Sequence, residues 1–554
     1  MSARPPLTAE HPEAPGRVTA PFFLLAILLW ALFTAATLNL APLFDYDEAV
    51  YAETAAEMLR SGDWVFPTAN GQAFFEKPPL VYYLMDLSFL AFGQNAFAAR
   101  LPSALFTLLT AALLYVTGRR LGSSEVGMVS SLVFVSMFMP AILAHSALLD
   151  ATLNFFLACS ILCFFLWKVS ERERYAVIAS LAAGIAISVK GPVGAVVPLL
   201  VIGIHELLSR TLIGSLRRFP WTGCAVFFLL GAAPWYLIVA ATHGVGFLKE
   251  FILVQNVGRF SRPMQGHGGG WYYYLLVLIP STLPWTAWLP RWGKRALSRP
   301  RETDVFDRLS RFAWIWTVVV IVLFSFAGTK LPHYISPICP AIALGIATLW
   351  HPRDLSPSAV RLSAAVHFFA VLPFAAGLVA LSFLYTPFTS LLKHPKVAAV
   401  LAQDVRPGPW IAVGGMLLAA YLAYCTWRTL RIPSRNPLAQ SIVLGLVFQG
   451  ILLVAVAPFA GKLVQGPMMV VADQIRASPA AEAVYSLTSV PSVSFYSGRS
   501  YRSVKISDVQ QHLDAKSPFL LIARQHHRDE LAGSPLAVVV QRGDLTLLRY
   551  GGRP

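Results

Sequence analysis

Thirteen apolar runs, each near the length of a membrane-crossing helix, decide what this chain can fold into. They lie near 18–40, 97–117, 125–144, 148–167, 175–189, 191–207, 222–242, 271–290, 312–328, 334–350, 361–385, 408–427 and 438–459. About 20 apolar residues are needed to cross a bilayer, and inside it only helices or closed barrels satisfy every backbone polar group. Hydrophobic residues make up 56% of the 554 and charged residues 13%, with mean hydropathy +0.60. No single aqueous core can bury so much apolar surface, so the fold expected is an all-α polytopic membrane protein of about 13 spans. The polar, Pro-rich stretch 1–17 precedes a run too long for a signal-peptide core and without a small-residue cleavage site, which is read as a retained helix.

The net charge of +16 sits mainly in short loops between these runs, a membrane-orienting pattern and not a nucleic-acid footprint. The stretch 79–93 is apolar but short and contains Asp86. If it does not span, Arg119 and Arg120, Lys168 with Arg172 and Arg174, Arg210 with Arg217 and Arg218, the run Arg291 to Arg311, and Arg428, Arg431 and Arg435 all share the side of the N-terminus. Positive loops face the cytoplasm, so 79–93 is read as a juxtamembrane or re-entrant helix, with the N-terminus inside and the C-terminus outside. Residues 462–554 alternate short apolar runs (SVSFY, FLLIA, AVVVQ, LTLLRY) with polar turns, as expected of a small C-terminal α/β domain. Its aromatic residues Tyr485, Phe495, Tyr496 and Tyr501 are expected in strand core. The five cysteines all lie in or beside apolar runs without metal-ligand spacing, and Cys159 and Cys163, one helical turn apart, read as packing.

The outer loop 41–78 is dense in polar groups: Asp45, Asp47 and Glu48 in FDYDEAVYAETAAEMLRSGDW, then Glu76 and Lys77 in FFEKPPL. Segment 47–60 has helical propensity, and a carboxylate suits its start, so capping is one reading of Asp47. Capping alone does not explain a carboxylate cluster followed by Glu-Lys-Pro-Pro at the next membrane entry.

The segments DYDEAVYAE, SGDWVFP and FFEKPPLVYY closely resemble the first outer loop of GT-C-type transferases in the protein mannosyltransferase and lipid A aminoarabinose transferase (ArnT-like) superfamily. Further matches follow in order: GQNAFAARLPSALF, HSALLDATLNFF, SVKGPVGAVVP, NVGRF, WYYYLLVLIPSTLPW and KLPHYISPICPAIAL. The resemblance implies sugar transfer from a polyprenyl-phosphate donor to an acceptor (lipid A, another glycolipid, a polysaccharide or protein) at the outer face of a bacterial inner membrane. It implies a cytoplasmic segment 1–17, a transmembrane catalytic domain 18–461 with first outer loop 41–96, and an extracytoplasmic domain 462–554.

Such a reaction needs a base for the acceptor hydroxyl and cations for the donor phosphate. Asp47 is the candidate base and Asp150 a supporting catalytic residue, though a carboxylate starting a helix also serves as a cap. Lys77, Arg259 and Lys330 are candidate phosphate ligands. Glu48, Tyr51, Lys190, His333 and Tyr334 complete the candidate substrate contacts. Lys190 also reads as a helix-end lysine snorkelling to the interface, and Tyr334 as a member of an interfacial aromatic belt. A divalent metal ion is a candidate cofactor with Glu76 as ligand, but one carboxylate is not a site. Two departures bear on the sugar. Val50 stands where the aminoarabinose transferases carry an arginine, and Val257 where they tend to have a histidine. Both losses argue against an aminoarabinose substrate and put the metal site in doubt; His267 in QGHGGGW is not an aligned replacement. A transporter or flippase is the competing reading, supported by Gly/Pro interruptions such as KGPVGAVVP. Against it, the ionisable residues cluster in outer loops, not at mid-membrane where transporter sites lie.

Overall fold

The computed structural model describes residues 18–551 except 75, 264–265, 299–303, 351–356, 392–404, 432–436 and 516. The 1–17 segment and Arg435 therefore lie outside the described residues. Each of the thirteen apolar runs is helical over most of its length. Among the described residues seven helices are long and apolar enough to cross a membrane, and up to nine if two bent pairs each count as one span. The chain is thus a multi-pass membrane protein, with several runs folded as shorter or broken helices. One of the shorter ones is Leu80–Phe92. Its 13 residues reach about 20 Å at 1.5 Å per residue, short of the roughly 30 Å hydrocarbon core.

Small residues let the helices close. Ala96–Arg120 starts at Asn95, whose side chain accepts from Ala98 N–H at 2.9 Å. It packs on Ser124–Val135 through Gly118 and Gly127, where a methyl on Gly118 would lie 2.4 Å from the Gly127 nitrogen. Such backbone approach is how helices associate where lipid removes the hydrophobic drive. The pair Ser124–Val135 and Phe138–Ala144 bends by 68°. The carbonyls of Val135 and Met137 at this break both accept from the Gln449 amide, at 2.9 and 3.0 Å, Met137 also taking Ala141 N–H at 3.4 Å, and Phe138 N–H donates to the Leu283 carbonyl at 2.9 Å. A break inside a membrane survives only where other protein groups take its backbone polar atoms. The second bend, 51°, falls before Pro234, which has no N–H to continue the helix.

A continuous helix, Ala439–Ala477, carries the last apolar run onward to a five-stranded sheet. A small hairpin in the polar loop 41–78 comes earlier in the chain, β1 (Thr68–Ala69) and β2 (Gln72–Ala73), turned by Asn70 and Gly71 at φ 54° and 70°. Both left-handed positions suit the Asn-Gly pair. The C-terminal strands are β3 (Ala483–Ser486), β4 (Arg502–Ser503), β5 (Phe519–Arg524), β6 (Ala537–Arg542) and β7 (Leu545–Tyr550), in spatial order β4-β3-β5-β7-β6. Pairing is parallel on the β4-β3-β5 side and antiparallel from β5 to β6. SVSFY is not a strand. It lies in a short helix, Pro491–Ser497, and its Phe495 packs into the main core of the helical domain. Proline at the first helical position starts the turn there, and alternation over five residues does not outvote it.

Asp86 is fully buried in Leu80–Phe92, and neither carboxylate oxygen has a hydrogen-bond partner. Burial pushes its pKa from 3.8 to about 8. The folded state therefore keeps a proton that the unfolded chain releases near pH 4, and stability falls as pH rises through that window. Asp86→Asn is expected to melt higher than the parent protein at pH 8 and close to it at pH 5, read by thermal unfolding in detergent; an equal difference at both pH values would refute this.

Candidate active site

Helix ends build the site. Asp150 is the first residue of Asp150–Ser170 and Lys190 the last of the neighbouring Glu173–Lys190. Antiparallel packing brings a helix N-terminus beside a C-terminus, each holding the charge its dipole favours. Lys190 Nζ donates to Asp150 Oδ1 at 2.7 Å, and His333 Nε2 lies 3.8 Å from the other oxygen. The chain leaves Lys190 through Gly191 at φ 82°, against Phe251, where a methyl would come within 2.9 Å of the ring. Tyr334 places its ring under Lys190, 5.0 Å from Nζ to centroid.

A second cationic pair faces this one. Lys77 is followed by two prolines that lead into Leu80–Phe92, where their missing N–H groups cost nothing. Its ammonium donates to the Glu76 carbonyl at 2.9 Å, and the Glu76 carboxylate accepts from Arg259 Nη2 at 2.7 Å. Arg259 also hydrogen-bonds Tyr334. The backbone at 259–260 is pinned to the Lys330 loop by Gly328 N–H to the Phe260 carbonyl and Thr329 N–H to the Arg259 carbonyl, at 2.7 and 3.0 Å. Burial holds Lys77 down at about 7, and the charges of Arg259 and Lys190 add to the effect. Burial likewise holds His333 below the usual imidazole range, so it stands neutral beside Asp150.

Lys77, Lys190, Arg259 and Asp150 line one cavity of about 390 Å³. The rest of its wall is mainly apolar, including Leu153, Leu157, Val193 and Phe324. Gln255, Asn256 and Thr329 add polar atoms that the sequence reading did not single out. The arrangement is a greasy slot capped by three cations, suited to a phosphate attached to a long apolar chain.

Asp47 begins the helix Asp47–Ser61 and is exposed. Among the described residues its carboxylate makes no hydrogen bond or ion pair, yet its charge reaches Tyr51 and His333. Tyr51 is buried beside Tyr82, ring centroids 6.1 Å apart, and burial keeps its hydroxyl protonated. Three candidates are otherwise engaged. Lys330 is buried and donates to the Ala327 carbonyl. Glu76 faces Arg259 and Lys77, and among the described residues no three His, Cys, Asp or Glu side chains gather; this donor set does not fit a divalent cation. Glu48 is engaged wholly within the protein. It accepts from Arg100 Nε and Nη2 at 2.9 and 2.8 Å, from Phe44 N–H at 3.0 Å and from Ala147 N–H at 2.7 Å. All its acceptor capacity is taken. Arg100 is the residue whose role the sequence reading missed. An arginine at the mouth of an apolar run needs a buried partner, and that was the available signal.

The family described as dolichyl-phosphate-mannose-protein mannosyltransferase matches residues 18–251. An undecaprenyl phosphate-alpha-4-amino-4-deoxy-L-arabinose arabinosyl transferase of Shewanella sediminis is 30% identical over 60% of this chain and 59% of its own length. A transferase of the same description from Pseudomonas fluorescens is 30% identical over 66% of this chain and 65% of its own. The matched stretch thus spans less than two thirds of either relative. The crystal structure of ArnT from Cupriavidus metallidurans bound to undecaprenyl phosphate superposes with TM-score 0.79 at 23% identity, covering 96% of this chain and 98% of that one, which establishes a shared fold. Taken with the motif order, these matches make the chain similar to the protein mannosyltransferases over residues 18–251 and to the aminoarabinose transferases over about 60–66% of its length, on the fold it shares with ArnT.

Proposed function

We propose that the chain transfers a sugar from a polyprenyl-phosphate donor to an acceptor hydroxyl at the outer face of the inner membrane. The observation that carries this reading is the apolar slot lined by Lys77, Lys190 and Arg259, with the carboxylate of Asp47, unpartnered among the described residues, near enough for its charge to reach His333. Three cations against the carboxylates of Glu76 and Asp150 leave one positive charge for a phosphodiester carrying one negative charge. Asp47 takes the acceptor proton as the hydroxyl oxygen attacks the anomeric carbon, and the phosphate departs onto Lys77 and Arg259 with inversion at that carbon. A phosphate leaves without protonation, so no second carboxylate is needed as acid. Asp150 and Glu76 act as counter-ions that orient Lys190 and Arg259, and Tyr51 offers a hydroxyl donor near Asp47. The relatives' names make undecaprenyl-phosphate-linked aminoarabinose the first donor to assay, against other sugars because of Val50 and Val257, and the motif resemblance makes a lipid A-type glycolipid the first acceptor. A transporter or flippase is not favoured, since the matched family and relatives are transferases. In this reading residues 1–17 face the cytoplasm, 18–461 form the catalytic membrane domain, and 462–554 stand in the periplasm.

Asp47→Asn keeps size and hydrogen-bonding shape but cannot accept the proton. Turnover is expected to fall about 10²-fold or more with donor binding intact. Near-normal turnover, with product followed by mass spectrometry of envelope lipids, would remove Asp47 as the base.

Phosphate binding is expected to return Lys77 toward its ordinary pKa. Polyprenyl phosphate should then bind with proton uptake near pH 8, measured by calorimetry in two buffers of different ionisation enthalpy. Lys77→Met should abolish the uptake and weaken binding by ~1.5–3 kcal/mol. Equal affinity and equal proton uptake in the variant would exclude Lys77 as the phosphate ligand.

For topology, a cysteine placed at the exposed Arg502 is expected to react with a membrane-impermeant maleimide in cells with a permeabilised outer membrane and an intact inner one. Reaction only after inner-membrane lysis would reverse the proposed orientation.

A further inference from the structure

The short stretch before Asp47 is gripped from two sides. Below, Glu48 is locked to Arg100 on Ala96–Arg120. Above, Asp45 accepts from Ser492 N–H at 2.9 Å and Ser492 Oγ–H at 2.7 Å, and Leu43 N–H donates to Tyr496 Oη at 2.8 Å. Both upper partners sit on the helix Pro491–Ser497 of the C-terminal domain. The same helix reaches the outer loop twice more. Ser494 Oγ donates to Asn70 Oδ1 in the β1-β2 turn at 2.5 Å, and the Gln94 amide donates to the Phe495 carbonyl at 2.7 Å. Phe495 packs its ring 5.8 Å from that of Phe89. The helix Ala457–Ala477 closes the third side, because Gly461 lies so near Pro42 that a methyl there would come within 2.7 Å of its ring.

Among the described residues the Asp47 carboxylate makes no hydrogen bond or ion pair of its own, so its position is inherited from residues 43–48. We infer that the C-terminal domain is a positioning element for catalysis, with Ser492 and Tyr496 as the residues that hold the Asp47 carboxylate at its place over the cavity. The inference rests on the proposed role of Asp47 as base. Burial also lifts the Asp45 carboxyl to about 6, so its charge, and the strength of the grip from Ser492, are kept by those two hydrogen bonds against desolvation. A general base displaced by about 1 Å loses roughly 10²-fold in rate without loss of binding, because proton transfer needs hydrogen-bond reach.

The test uses the full-length protein in lipid nanodiscs, with Ser492→Ala, Ser492→Thr and Tyr496→Phe. Amide hydrogen exchange should rise at residues 43–51 in Ser492→Ala and Tyr496→Phe, while β3, β5 and β7 stay protected. In the same variants kcat should fall roughly 10- to 100-fold with the donor KM within about twofold, and Ser492→Thr should restore both readouts. Unchanged exchange at 43–51 would overturn the inference, as would faster exchange with undiminished kcat. The exchange arm needs no substrate. If exchange responds but Asp47→Asn keeps its turnover, the grip stands and the assignment of the base is what fails.

Discussion

The bidentate pair of Glu48 and Arg100 is the constraint from which the site-bearing half of the protein is hung. Arg100 also donates to the carbonyls of Leu38 and Ala41 at 2.8 and 2.7 Å and of Pro42 at 3.0 Å. One guanidinium thereby caps the first membrane helix, shapes the exit of the chain and holds the start of the helix that bears Asp47. Through Ala147 N–H, the same carboxylate fixes the segment that leads to Asp150. Burying two charges is costly, and such a pair is tolerable only when the remaining donors and acceptors are satisfied, as they are here. Losing either partner strands a charge, at a typical cost of about 3–5 kcal/mol.

The site repeats this logic at its functional end with weaker satisfaction. Lys190 and Arg259 each have one carboxylate partner, whereas among the described residues Lys77 hydrogen-bonds only a carbonyl and is crowded by Arg259 and Lys190 against the pull of Glu76 and Asp150. An anion arriving in the slot relieves that crowding, so part of its binding energy is already present as repulsion in the empty protein. The apolar wall below excludes water and strengthens each of these charge interactions.

How much of this can be read from residues alone follows the range of the interaction. The apolar runs became helices because helicity in a membrane is dictated within each segment. The carboxylates and cations of the loop 41–78 and its partners stood out because charge is rare in this chain. Glu48 and Asp47 look equivalent in DYDEAVY, and only the fold tells them apart, since the partner that claims Glu48 lies 52 residues away. The same holds for Asp150, which pattern places at a helix start and geometry hands to Lys190. SVSFY alternates like a strand, yet Pro491 and the need of Phe495 for the core beneath it make it a helix. The bends before Phe138 and at Pro234 differ in kind. Proline announces the second, whereas the first depends on a glutamine far along the chain.

That distance matters for assembly. Val135 and Met137 wait for Gln449 across 314 and 312 residues of chain. At about 5–20 residues per second, a ribosome takes roughly 15–60 s to deliver it. During that interval the Val135 carbonyl lacks its Gln449 partner and the Met137 carbonyl has only Ala141 N–H, at 3.4 Å, in a segment already inserted. They must borrow water, lipid head groups or the insertion machinery, or else the segment stays straight until its partner arrives. On either path the kink reaches its final partners late in biogenesis, and the helix that completes the bundle is also the one that lets an early segment settle into its final shape.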